Sequence, residues 1–132
     1  MGDKSADKIK NDPEIVQKKK NLVADKAKAK EETDAKKKAK LDEENDEEEA
    51  FLLGVDEAEA EVRKAPPTKT GEGAAITAIE GVEKRWIDEQ ETKQKTLRQR
   101  GDKAGADAMQ PAIDREYDRM RGKKAAREII DK

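Results

Sequence analysis

The clearest periodicity of apolar positions lies between residues 74 and 100. Ile76, Ile79, Val82 and Trp86 recur at steps of three, three and four. That spacing places them on one face of a helix and fits no strand, where side chains alternate with period two. Ala75 and Ile87 widen the stripe, and Leu97 is its last large apolar residue. Glu80 with Lys84 and Glu91 with Lys95 are acid-before-base pairs one turn apart, each a small helix gain. Gly101-Asp102-Lys103-Ala104-Gly105 predicts a turn with a glycine cap, so this helix should end near Arg100. A second helix is expected from Met109, Ile113, Tyr117 and Met120, spaced four, four and three, with Pro111 in its first turn. Gly122 weakens it before Ala125, Ala126, Ile129 and Ile130 resume the face. Residues 74–132 therefore predict an antiparallel αα-hairpin.

Upstream, residues 1–11 are polar and small, and read as a disordered N-terminus. Asp12-Pro13-Glu14 is a strong helix start, with Asp12 as cap. No breaker follows before Lys40, and Glu14/Lys18, Glu32/Lys36 and Asp34/Lys38 are favourable four-apart pairs. Its apolar content is one short patch, Ile15, Val16, Leu22 and Val23. Sustained apolar heptads are missing, which argues against a self-sufficient coiled coil. A second, acidic helix is predicted from about residue 46 to residue 64. Its apolar face is Phe51, Val55, Ala58 and Val62, spaced four, three and four, with Gly54 as a weak point. That face either packs on the chain's own hairpin or is a recognition segment anchored by Phe51 in a partner's groove. Residues 65–73 carry two prolines and two glycines and read as a linker. The expected fold is all-α and extended: a charged helical arm over 12–64, the linker, and the hairpin.

Composition sharpens this reading. Charged residues make up 47% of the chain and hydrophobic ones 33%, and Phe51, Trp86 and Tyr117 are the only aromatics. A large core is not available to such a chain, so its order must come from helices. The hairpin has twelve large apolar side chains in 59 residues, too few to stabilise it alone. Its stripe is therefore expected to be completed by a protein partner or a second copy. With no cysteine or histidine, disulfides, the usual zinc sites and histidine-based relays are excluded. No apolar run is long enough to span a membrane, and no signal core opens the sequence. The expectation is a soluble protein, cytoplasmic or within a large assembly.

The net charge of −2 hides a segregated pattern. Residues 1–40 carry 13 basic and 8 acidic groups, whereas residues 41–62 carry 11 acidic groups and no basic one. Such blocks are usual in extended or interacting segments. The acidic block fails as a calcium loop, because Glu47 stands where the loop needs glycine and Leu53 where it needs glutamate. Gly71-Glu72-Gly73 lacks the rest of a phosphate-binding pattern. Nothing marks a carboxylate pair as pocketed, and neither a catalytic residue, a metal site nor a cofactor is expected. The basic stretch Arg115, Arg119, Arg121, Lys123, Lys124 and Arg127 could meet phosphate or an acidic partner, though Asp114, Glu116 and Asp118 interleave with it.

Taken together, the residues expected to contact a partner are Ile76, Ile79, Val82, Trp86, Ile113, Tyr117 and Met120 of the hairpin, with Phe51 and Val55 of the acidic helix. In composition and layout the whole chain is similar to phage scaffolding and minor virion proteins, which are often highly charged, helical and end in a basic hairpin. The expected function is a non-enzymatic structural or assembly component; the alternative is a nucleic-acid-associated protein using the basic C-terminal helix.

Overall fold

A computed structural model describes residues 2–132 as five helices and no strand: α1 Asp3–Lys10, α2 Pro13–Glu31, α3 Ala35–Lys64, α4 Lys69–Gln99 and α5 Lys103–Asp131. The all-α expectation holds. Each of the four longer helices starts on a side-chain cap. Asp12 accepts from the Glu14 and Ile15 amides, Asp34 from Lys36 and Lys37, Thr68 from Gly71, and Asp102 from Gly105, satisfying donors that a helix start otherwise leaves open. The predicted stop after α4 is present. Gly101 adopts φ +84°, and the Asp102 amide reaches back to the Leu97 carbonyl at 2.9 Å, a Schellman closure that favours glycine.

Four boundaries differ from expectation. Residues 3–10 form helix rather than disordered chain, because Ala6 and Ile9 are fully buried against α3 and α5; Met1 lies outside the described residues. The helix expected to run to Lys40 stops at Glu31, and one helix then spans the whole acidic block. No glycine or proline marks that break. It is made by Asp34 capping the new helix and by extended backbone at Glu32. Helix α5 begins at Lys103, eight residues before Pro111, which sits on its exposed side. The linker shrinks to residues 65–68, since Thr68 caps α4 and both glycines enter its first turns.

Helix α3 is the centre of the fold, touching each of the other four. The core gathers at its C-terminal half, where Leu52, Val55, Ala58 and Val62 meet Ile9, Ile15, Ile76, Ala126 and Ile129. The tightest contact is α3 on α5. A methyl group on Gly122 would lie 1.9 Å from the Phe51 carbonyl oxygen, and one on Gly54 would lie 2.0 Å from that of Arg119. Both glycines, expected only to weaken their helices, are where the two backbones touch.

The opposite charge blocks also close on each other. Antiparallel to α3, α2 brings Lys19 to Asp56 at 2.9 Å, Lys26 to Glu49 at 3.1 Å and Lys18 to Glu48 at 3.4 Å. Such exposed pairs contribute at most about 1 kcal/mol each.

Gly54→Ala and Gly122→Ala should each cost about 1–3 kcal/mol or more, because the added carbon meets backbone that must move. Gly81→Ala, where no heavy atom lies within 4 Å, should instead gain up to about 1 kcal/mol from helix propensity. Urea midpoints of the three variants test this, and equal effects at all three sites would contradict the close-packed crossing.

Candidate functional site

Helix α4 buries a different face from the one its apolar residues suggest. Its buried positions are Glu72, Ile76, Glu83, Ile87 and Gln94, spaced in alternating steps of four and seven as in a heptad seam. Two inward positions are therefore polar, while Val82 and Trp86 lie beside the seam and stay 60% and 37% exposed. Gln94 is satisfied by donating to the Ala106 carbonyl at 2.9 Å and to Gln110 at 2.8 Å. Glu83 is paired with Lys123 of α5.

Lys123 is the most unexpected residue of the chain. It follows Gly122 on the face of α5 that meets the other helices, and only 1% of it is exposed. Besides Glu83, its Nζ lies 3.1 Å from Glu57 Oε2 of α3. Arg119 extends the cluster, its Nε donating to Glu57 Oε1 at 2.9 Å and its Nη1 to Glu116 at 2.7 Å. Burial pushes the Glu57 carboxyl up, but hydrogen bonds and charge from Arg119 and Lys123 prevail and hold it below the ordinary 4.5. The same carboxylates raise the Arg119 guanidinium against its own burial. Both carboxylate oxygens of Glu83 are buried beside the Lys123 ammonium.

Above this cluster a groove of about 310 Å³ opens between α4 and α5. Ile79, Val82 and Trp86 give it an apolar wall, and Glu57, Glu83, Glu116, Arg119 and Lys123 a charged one.

The other expected site residues divide. Val55, Ile76 and Ile113 are at most 1% exposed, so they build the interior and present no surface. Phe51 is half-buried against the core, with Lys18 Nζ 4.9 Å from its ring centroid; of the two readings open for the acidic helix, packing on the chain's own hairpin is the one observed. Met120 is half-buried. Tyr117 is exposed, its hydroxyl donating to Glu91 at 2.7 Å, a bond that raises its pKa.

The basic stretch is largely engaged at home. Lys123 is buried; Arg119 and Arg127 meet Glu57 and Glu80; Arg115 and Arg121 both meet Asp118. Lys124 alone of the six is exposed and, among the described residues, without an ion pair. Glu57, Glu83 and Glu116 were not anticipated. The legible signal was Glu83's place in register with Ile76 and Ile87, which a search for apolar residues passes over. No candidate metal cluster occurs among the described residues, and none of their helices is long and apolar enough to cross a membrane. No family model, curated protein or solved structure matches the chain.

Two outcomes test the cluster. Lys123→Met leaves the Glu83 carboxylate buried without its cation and should cost about 3–5 kcal/mol, whereas Lys123→Met with Glu83→Leu should recover most of that loss. Matching instability of single and double variants in urea melts would contradict the pairing. Because Glu57 titrates below 4.5 when folded, its ion pairs add stability that is complete above that pH and fades as pH falls through the lowered folded value. The urea-midpoint gap between the unaltered protein and Glu57→Gln should therefore be constant at neutral pH and shrink as pH falls below 4.5 through the lowered folded value.

Proposed function

We propose that this chain is a non-enzymatic helical structural or assembly protein, one that docks a protein partner in the α4–α5 groove within a larger complex, in the manner of a scaffolding component. The observation that carries the reading is the apolar wall of that groove. Trp86 and Val82 project side by side, one turn apart on α4, with Ile79 beneath them, and both stay substantially exposed. Tryptophan is the residue type most enriched at binding hot spots, above all where charged neighbours frame it. A catalytic reading has less support, since the groove's ionisable groups are committed to one another as ion pairs.

The nucleic-acid alternative is weakened by the same geometry. Five of the six cations of the basic stretch in α5 already face carboxylates of this chain, and freeing them for phosphate would expose those acids to it.

Trp86→Ala should lose most of the capture of the partner in a cross-linking pull-down from the native host, or the self-association if the partner is a second copy. It should cost little stability, because the indole is 37% exposed. Ile76→Ala, fully buried, should do the reverse, with about 2–5 kcal/mol lost from the fold. Undiminished capture by a folded Trp86→Ala protein would refute the docking role.

A further inference from the structure

Helix α2 keeps one whole face uncovered. Its inner side is Ile15 and Ala29, both buried, with Leu22 packed on the core between them. On the opposite side Lys20, Val23, Ala27 and Lys30, spaced three, four and three, are all exposed, Val23 at 72%. Lys18, Lys19 and Lys26 are paired with acids of α3, whereas Lys20 and Lys30 have no ion pair among the described residues. The outer face of α2 is thus a basic stripe with an apolar centre.

A surface of opposite character lies between the N-terminal halves of α3 and α5, where a cleft of about 480 Å³ opens. Asp42, Glu43 and Asp46 form one wall, and Asp107 and Asp114 the other. Arg115 is the one cation among the described residues that line it, and it is turned to Asp118 at 3.3 Å and Glu47 at 4.0 Å. Ala39 and Pro111 give the cleft a small apolar patch. Glu48, Glu49 and Asp56 of α3 meet lysines of α2, but Asp42, Glu43 and Asp46 meet no cation among the described residues. Like charges therefore face each other across the cleft, and cations entering it relieve their repulsion.

From this we infer that the outer face of α2 docks in the α3–α5 cleft of a second copy of this chain. Lys20 and Lys30 meet the carboxylates, and Val23 meets the apolar patch. The contact cannot form within one molecule. Ile15, Ala29 and three ion pairs hold the inner face of α2 on α3, so the outer face points away from its own chain's cleft. Stripe and cleft are of similar reach, about 15 Å and about 10 Å along their helices. Neither Trp86 nor its groove takes part, so the contact goes beyond the docking reading. Its charges are exposed, which makes it sensitive to salt.

Sedimentation of the intact protein is the test. Self-association should appear at low ionic strength and weaken at least about tenfold at about 0.5 M salt. Lys20→Glu with Lys30→Glu should weaken it about tenfold or more, and so should Asp42→Lys with Asp46→Lys. An equimolar mixture of these two variants should associate again, because the reversed charges complement each other. A protein that stays monomeric at low salt overturns the inference. So does association undiminished in both variants, or a mixture of the two, each helical by circular dichroism, that stays monomeric. Should a variant not fold, Lys20→Gln with Lys30→Gln replaces it, and undiminished association then overturns the contact. Association kept in Trp86→Ala supports the α2 contact whatever the groove binds. Association lost in Trp86→Ala but kept in Lys20→Glu with Lys30→Glu places the second copy in the groove and overturns it.

Discussion

Two glycines allow α3 and α5 to meet backbone against backbone, and the remaining helices are placed by that contact. Gly54 faces the Arg119 carbonyl and Gly122 the Phe51 carbonyl, with no room for a methyl group at either point. Each glycine weakens its own helix by about 1 kcal/mol relative to alanine. The close approach offsets this by letting Ala58, Val62 and Ala126 contribute to a shared interior despite their small size. A chain with so few large apolar residues builds a core in this way, using short distances rather than bulky side chains.

Charge segregation serves the same end. The basic block of α2 and the acidic block of α3 read as surfaces for other molecules, yet they lie antiparallel and face each other. Each exposed pair is weak, but the blocks of opposite sign favour α2 lying along α3 over like-charged surfaces meeting, so the pattern bears on arrangement more than it adds stability. A chain carrying 47% charged residues thus uses much of its charge internally. The deepest instance is Lys123, held between Glu57 and Glu83 where three helices converge. Removing one member of such a cluster is far more costly than the cluster is stabilising, which restricts how α3, α4 and α5 can be arranged.

That restriction also creates the groove. Because α4 turns Glu83 inward to meet Lys123, Val82 and Trp86, which flank it in sequence, are carried to the edge of the seam. The polar interior and the uncovered indole are two consequences of one helix rotation. A stripe that buried Ile76, Ile79, Val82 and Trp86 together would have left Glu83 outside and Lys123 without its closest partner.

What could be read from the chain itself was local. Helical periods, the Asp12 and Gly101 signals, the absence of strand patterns and the lack of histidine and cysteine depend on neighbours in sequence, and the all-α architecture and the α4–α5 turn follow from them. The break at residues 32–34, the helix at residues 3–10, the fit at Gly54 and Gly122, and the burial of Lys123 depend on residues far apart in the chain. Periodicity ranks side chains by hydrophobicity, but burial is decided by which atoms find partners. A lysine between two glutamates can be interior and a tryptophan at the seam's edge exposed, and only the packing of α3, α4 and α5 settles which.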